Sequence, residues 1–200
     1  LSLVGSEMCI RDRGMKDLRK EDRPLNQKWS WDRILRSCFI KQADVLQGLY
    51  LFDDQFDNDT IKRNFDFYEP MTVHESSLSP CVHVILASKI GYKAKAYEMY
   101  LRTSRLDLDD YNNDTEDGCH ITSMAGTWMS VIKGFGGMRV KDGTLHFNPY
   151  LPDQWKSYSF RIDFRGRVIK VTVAKSNVET ILESGDPLEI VLNDKQAKLT

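Results

Sequence analysis

The chain has 200 residues, of which 41% are hydrophobic, which is enough for one or two domains with a substantial core. Its formal net charge is −1, so the chain lacks the excess of positive charge typical of proteins that bind nucleic acid or an acidic membrane surface. We therefore expect neither partner. No apolar run approaches the length of a membrane-spanning helix.

The cysteines and histidines show no metal-ligand spacing. Cys9, Cys38, Cys81 and Cys119 lie far apart and lack a Cys-x-x-Cys pair, which is typical of reduced thiols in a cytoplasmic protein. Because the histidines are scattered as well, we expect no metal ion.

The first residues fit no pattern found later in the chain. Leu1 to Gly14 has no consistent period, and Ser6 to Arg13 resembles translated adapter sequence from metagenomic assemblies. We therefore expect residues 1–15 to be a non-native leader and the rest to be the C-terminal piece of a longer protein. Residues 16–33 are polar, and they are predicted to form an extended surface loop.

Helices dominate the chain up to residue 133. The dense apolar residues from Ile34 to Tyr50 predict a buried helix, with a break near Cys38 to Lys41. Further helices are predicted at 58–68, 80–90, 93–103 and 119–133, with an acidic loop at 107–118. Mostly apolar helices alternate with amphipathic ones, as they do in concentric layers. The pattern favours an α/α toroid or a layered helical bundle.

The hydrophobic period changes to two after the glycine cluster Gly134 to Gly137. The alternating runs are Leu145 to Phe147, Phe160 to Phe164, Ile169 to Val173, Val178 to Leu182 and Leu188 to Leu192. Arg165-Gly166 predicts a hairpin turn, and the last two runs are predicted to complete an antiparallel meander. We therefore predict a helical part over residues 16–135 and a small antiparallel β-sandwich over residues 136–200.

A polar stretch precedes the helix predicted at 80–90. Ser79 is a good N-cap and Pro80 suits the first helical position, so His74, Glu75, Ser76 and Ser77 are placed beside the positive helix end. An anion such as phosphate binds well there. The alternative is a capped loop with ordinary surface side chains.

A second polar stretch, Asp114 to His120, precedes the apolar helix predicted at 119–133. If inner helices of a layered barrel run parallel, both polar stretches open into one cleft, where His120 could donate to an anionic oxygen. Alternatively, Asp114 and Asp117 cap the helix and His120 is a satisfied buried histidine.

Lys41 and Gln42 lie in the region predicted to be buried. A buried lysine needs a partner or a cavity. Asp44 could supply a structural ion pair, or Lys41 and Gln42 could line a polar pocket that binds hydroxyl groups or phosphate.

Four stretches resemble the C-terminal part of the disaccharide phosphorylases of glycoside hydrolase family 65, and in particular their maltose phosphorylase branch. They are Pro24 to Arg33 (PLNQKWSWDR), Ile40 to Leu46 (IKQADVL), Thr72 to Pro80 (TVHESSLSP) and Tyr111 to Trp128 (YNNDTEDGCHITSMAGTW). The similarity is close over residues 24–150 and weaker beyond.

The resemblance implies the C-terminal part of an (α/α)6 barrel followed by a β-sandwich, without metal or organic cofactor. It implies inverting phosphorolysis of an α-glucoside, with maltose the first choice, to β-glucose 1-phosphate and glucose, and a homodimer as in the family. Lys41 and Gln42 would contact the glucosyl unit or phosphate, and Ser76, Ser77 and His120 would hold inorganic phosphate. His74 and Glu75 are weaker candidates, with Glu75 orienting His74 or a sugar hydroxyl.

The family's general-acid glutamate maps to no residue of this chain, so we expect the 200 residues alone to be inactive. Two alternatives stay open. One is a phosphorylase for trehalose, kojibiose or nigerose, or a glycosidase, of the same family. The other is a noncatalytic carbohydrate-binding module.

Overall fold

The computed structural model describes residues 15–111 and 113–200. The expected leader, except Met15, and Asn112 of the acidic loop lie outside the described residues. The α-helices are α1 (Leu25–Lys28), α2 (Trp31–Leu35), α3 (Asp44–Leu51), α4 (Asn58–Tyr68), α5 (Ser79–Lys89), α6 (Lys93–Ser104), α7 (Leu106–Asp109) and α8 (Ile121–Met129). Single 3-10 turns occur at Met15–Asp17, Lys20–Asp22, Glu69–Met71 and Thr115–Asp117, and a π-helix, Ser130–Phe135, extends α8.

Local signals explain the helices from α4 onwards. Asp57 caps α4 by accepting a hydrogen bond from the Thr60 N–H, and α4 buries Ile61 and Phe65 on one face. Helix α5 begins one residue earlier than predicted, so Ser79 lies inside its first turn and Leu78 takes the cap position. Helix α5 is buried from Ser79 to Ala87, as expected for an inner helix, whereas α6 buries one stripe.

The prediction for residues 16–50 was partly wrong. The expected surface loop contains α1 and the start of α2, and α2 buries none of its residues. The predicted break near Cys38 to Lys41 is confirmed, because an irregular segment separates α2 from α3. Ile40 in that segment makes a parallel bridge to Thr72, with hydrogen bonds to the backbone of Met71 and Val73. This pairing takes the backbone out of helical geometry, and it leaves Lys41 and Leu35 exposed.

The β-strands are β1 (Arg139–Lys141), β2 (Thr144–Phe147), β3 (Ser157–Asp163), β4 (Val168–Ala174), β5 (Val178–Ser184), β6 (Leu188–Leu192) and β7 (Lys195–Leu199). They form a four-stranded sheet in the order β1-β2-β6-β7 and a three-stranded sheet in the order β3-β4-β5. Strands β3 and β4 form the predicted antiparallel hairpin around Arg165-Gly166.

The predicted meander from β5 to β6 is wrong. Strand β6 does not join the three-stranded sheet. It pairs in parallel with β2 in the other sheet, so that Leu145 is opposite Ile190. Both residues are buried in one core shared by the two sheets, together with Phe147, Val171 and Leu199. The β-domain is therefore two packed sheets with mainly antiparallel pairing.

An aromatic cluster joins the helices to the β-domain. Trp155 makes edge-to-face contacts with Tyr97, Tyr100, Phe135 and Tyr158, with ring centroids between 5.3 and 6.4 Å apart. Such pairs stabilise beyond their buried area, by about 0.5–1.5 kcal/mol each. Among the described residues, no helix is long and apolar enough to cross a membrane.

Candidate functional site

The two polar stretches that precede α5 and α8 meet in the structure. The Ser77 and Thr122 hydroxyl oxygens are 2.7 Å apart and hydrogen-bonded, although the residues are 45 positions apart in the sequence. The end of α6 joins the same region, because the Ser123 hydroxyl donates to the Thr103 carbonyl at 2.7 Å. Helices α5 and α8 therefore begin at the same end of the helical layer, where α6 ends.

His74 is buried, and its side chain points into the helical core. Its Nδ1 lies 3.0 Å from the Ser79 hydroxyl, and its ring packs edge-to-face on His83 at 4.5 Å. Burial, with the positive charge of Arg102 nearby, lowers the pKa of His74 to about 2. A neutral, enclosed ring cannot attract phosphate by charge, so the His74 side chain is part of the helical core.

His83 is a fully buried core histidine. Its Nδ1 lies 3.0 Å from the Ser79 carbonyl, which can only accept, so the ring carries its hydrogen on Nδ1. Burial lowers the pKa of His83 to about 4, and the ring stays neutral near pH 7.

Glu75 and Ser76 serve local backbone groups. The Glu75 carboxylate accepts hydrogen bonds from the backbone N–H groups of Leu25 and Asn26, at the start of α1. It therefore caps α1 instead of orienting His74, and its predicted contact with a sugar hydroxyl stays a prediction. The Ser76 hydroxyl accepts a hydrogen bond from the Leu78 N–H at 3.3 Å. A bond of this length is weak, so Ser76 could exchange it for a stronger hydrogen-bond partner.

His120 lies between two carboxylates of the acidic loop. Its Nδ1 is 2.6 Å from Asp107 Oδ1, its Nε2 is 3.4 Å from Asp114 Oδ2, and its backbone N–H donates to Asp107 Oδ2 at 3.0 Å. The hydrogen bond to Asp107 and the charge of Asp114 raise the pKa of His120. His120 is thus a partly exposed histidine paired with two carboxylates, and not the satisfied buried histidine of the alternative interpretation.

Gln42 lines an open pocket of about 530 Å³ next to the meeting point of the loops. The pocket lies between the start of α3, the start of α5 and the face of α8 that carries Thr122, Ala125 and Met129, and Leu78 also lines it. Lys41 is exposed and lies outside this lining. The Gln42 side-chain amide donates a hydrogen bond to Asp44 Oδ1 at 3.2 Å. This Gln42–Asp44 pair takes the place of the ion pair considered for Lys41 and Asp44.

A second pocket, of about 510 Å³, lies between the helices and the β-domain. Three of its cations are already paired within the protein: Lys89 and Arg139 bind Asp53, and Lys133 donates to the Tyr50 hydroxyl at 2.8 Å. We therefore assign this pocket to the junction and place the candidate site at the two helix starts. Within residues 15–111 and 113–200, no group of three or more metal-ligating side chains is found.

Both parts of the chain match known family models. Residues 10–129 match the model of the glycosyl hydrolase family 65 central catalytic domain, and residues 138–199 match that of the family 65 C-terminal domain. The chain therefore belongs to glycosyl hydrolase family 65.

Two similar curated relatives in that family are disaccharide phosphorylases. The maltose phosphorylase of Bacillus subtilis (strain 168) is 58% identical over 174 residues, which are 87% of this chain and 23% of that protein. The alpha,alpha-trehalose phosphorylase of Thermoanaerobacter brockii is 46% identical over 183 residues, or 92% of this chain and 24% of that protein. The chain thus spans about a quarter of the length of these relatives.

A solved structure has the same fold. It is provisionally described as a kojibiose phosphorylase from human microbiome, and it is 38% identical in sequence, with a TM-score of 0.89 over 98% of this chain and 29% of the other. At this identity the likeness extends beyond the fold to the family.

Sequence reasoning missed two residues of the site. Thr122 follows His120 by two positions and could have been proposed as a hydroxyl neighbour, but only the fold shows that it meets Ser77. Asp107, the main partner of His120, is 13 positions upstream, and no local pattern links the two.

Proposed function

We propose that the full-length protein containing this segment catalyses inverting phosphorolysis of an α-glucosidic disaccharide. Maltose and inorganic phosphate would give β-glucose 1-phosphate and glucose. The 58% identity to a maltose phosphorylase supports maltose as the first substrate to test. On this proposal residues 16–135 close an (α/α)6 barrel whose other helices come from elsewhere in the protein.

The proposed reaction needs a positioned anion more than it needs a base. A phosphate oxygen attacks the anomeric carbon on the face opposite the leaving sugar, while the bond from that carbon to the glycosidic oxygen breaks. The leaving oxygen takes a proton from a general acid that we assign to a part of the protein outside these 200 residues. Phosphate is itself the nucleophile, so the protein must hold and aim it.

The Ser77–Thr122 contact is the observation that carries the proposal, because it brings both helix starts to one place. We assign Ser76 and Ser77 as hydroxyl donors to phosphate, with the positive end of α5 behind them. His120 would donate through Nε2, exchanging Asp114, at 3.4 Å, for a phosphate oxygen. The Asp107 bond would keep the ring oriented and protonated during that exchange.

The sugar would occupy the neighbouring pocket. Gln42 lines it, and we assign Gln42 and the exposed Lys41 to hydroxyl groups of the glucosyl unit. Because Lys41 is not confined by neighbouring side chains, its ammonium could reach either the sugar or the phosphate. Neither an organic cofactor nor a metal is required in this scheme.

The test compares serine variants of the full-length protein. With Ser76→Ala and Ser77→Ala together, we expect the phosphate KM to rise about 10-fold or more and the maltose KM to change little, since two hydrogen bonds to an anion are lost. Ser157→Ala with Ser159→Ala, two exposed serines of β3, is the matched control. Equal turnover of maltose with and without phosphate would contradict phosphorolysis.

Two alternatives give different results in the same assays. The relatives that act on trehalose and kojibiose favour testing those sugars and nigerose beside maltose. A noncatalytic carbohydrate-binding module predicts sugar binding that neither phosphate nor the serine pair affects. The isolated 200-residue chain should show no turnover, and measurable turnover would mean that the general acid lies within it.

A further inference from the structure

The last turn of α6 lies behind both loops of the candidate site. Thr103 contacts the start of α8, where its hydroxyl is 3.1 Å from the Ser123 hydroxyl. Arg102, the residue before it, reaches in the other direction and donates from Nη2 to the His74 carbonyl at 2.9 Å. Two consecutive residues of one helix thus hold the two loops.

Arg102 also contacts the acidic loop itself. Its guanidinium carbon is 5.1 Å from the centroid of the Tyr111 ring, which is within cation–π range. Tyr111 lies between Asp107 and Asp114, the two carboxylates that contact His120. The planar Arg102 guanidinium therefore bridges two loops. One is residues 74–77, called the serine loop below, and the other is the acidic loop that holds His120.

The bond to His74 is made where the backbone is least favourable. His74 has φ of 55°, in the left-handed region that residues with a Cβ rarely adopt. Glu75, Ser76 and Ser77 follow directly, so the orientation of the His74 peptide determines where the two hydroxyls lie. A fixed donor on the His74 carbonyl selects one orientation of that peptide.

Burial keeps the bridge in place. Arg102 is half-buried, and within the described residues its Nε is enclosed without a hydrogen-bond partner. Burial lowers the pKa of Arg102, yet an arginine keeps its charge in any case. Loss of the side chain would leave the His74 carbonyl without this donor and the Tyr111 ring without its support.

We propose that Arg102 is a positioning residue for the phosphate site, which it forms by fixing the serine loop through the His74 carbonyl and the His120 loop through Tyr111. The proposal rests on the proposed function, because it assigns Ser76, Ser77 and His120 to phosphate. Arg102 itself need not touch the phosphate or the sugar.

The test measures the two Michaelis constants of the full-length protein separately. For Arg102→Met, which keeps an apolar stem, we expect the phosphate KM to rise about 10- to 100-fold, as for loss of a hydrogen bond from a charged donor. The disaccharide KM should change less than about 2-fold. Arg102→Lys keeps a charged donor but not the planar group, so we expect it to restore most of the phosphate affinity.

Arg161→Met is the matched control, because Arg161 binds Glu183 on the exposed surface of the β-domain and should leave both constants unchanged. If Arg102→Met does not fold, Tyr111→Leu carries the test, and it should raise the phosphate KM several-fold. An unchanged phosphate KM, or equal rises in both constants, overturns the role of Arg102. A wild-type protein without phosphate dependence would instead overturn the proposed function.

Discussion

The helical region and the β-domain differ in how far they expose their large apolar side chains. In the helical region Trp31, Leu35, Ile121 and Trp128 are all more than half exposed, at 70%, 79%, 69% and 53%. Among the described residues of the β-domain, the exposed large apolar side chains are Val140 and Ile181. Both sheets of the β-domain close on one core.

The difference indicates that the β-domain completes its own core and the helical region does not. Ile121, Met124 and Trp128 repeat at helical spacing on the outer face of α8, so they form one apolar stripe. A contiguous exposed stripe of this kind marks a surface that another element covers. The curated relatives are about four times longer than the matched segment, and we propose that their additional helices cover the equivalent face.

The largest expected effect separates the two regions directly. Phe147→Ala removes a ring that is 1% exposed in the β-domain core, and we expect a loss of about 3–5 kcal/mol in the free energy of unfolding. Trp128→Ala removes a larger ring from the apolar stripe of α8, yet we expect a loss of about 1 kcal/mol or less. Urea unfolding of the 200-residue chain followed by circular dichroism measures both, and equal losses would contradict the comparison.

The second prediction concerns the junction between the regions. Gly137 has φ of 60°, and a Cβ there would lie 2.5 Å from the Asn148 carbonyl oxygen and 2.9 Å from the Asn148 nitrogen. Backbone atoms cannot move aside cheaply, so Gly137→Ala should cost about 3 kcal/mol or more. Gly166→Ala is the control: φ is 75° and no heavy atom of the described residues lies within 4 Å, so we expect about 1–2 kcal/mol. Similar costs at both positions would show that the junction is not tightly packed.

Elements with their own boundary signals could be predicted from the sequence. Helix α4 has a capping aspartate, an apolar stripe and a proline beyond its end, and its observed bounds are those predicted. The hairpin between β3 and β4 was likewise predicted from its turn residues, Arg165-Gly166. In both cases the deciding interactions lie within a few residues of each other.

Elements decided by distant residues could not be predicted. The break near Ile40 was predicted, but its bridge to Thr72 was not. The position of β6 depends on its parallel pairing with the distant strand β2. In the site, the capping role of Glu75 depends on α1, 49 and 50 positions away. A dense apolar run or an acidic residue cannot by itself reveal which remote partner it will meet.

The smallest expected effect concerns the charge of His120 in the helical region. Asp107 and Asp114 raise the pKa of His120, so the folded protein binds this proton more tightly than the unfolded chain. The resulting stability is present below about pH 6.5, the ordinary histidine value, and is lost as pH rises through the folded pKa. His120→Gln should therefore cost more stability at pH 5.5 than at pH 8.5, by less than the Gly137→Ala effect. Asp107→Asn should flatten the pH dependence in the same way, because it removes the main partner of His120. A stability difference between wild type and His120→Gln that stays constant from pH 5.5 to 8.5 would mean that the two carboxylates do not hold this proton.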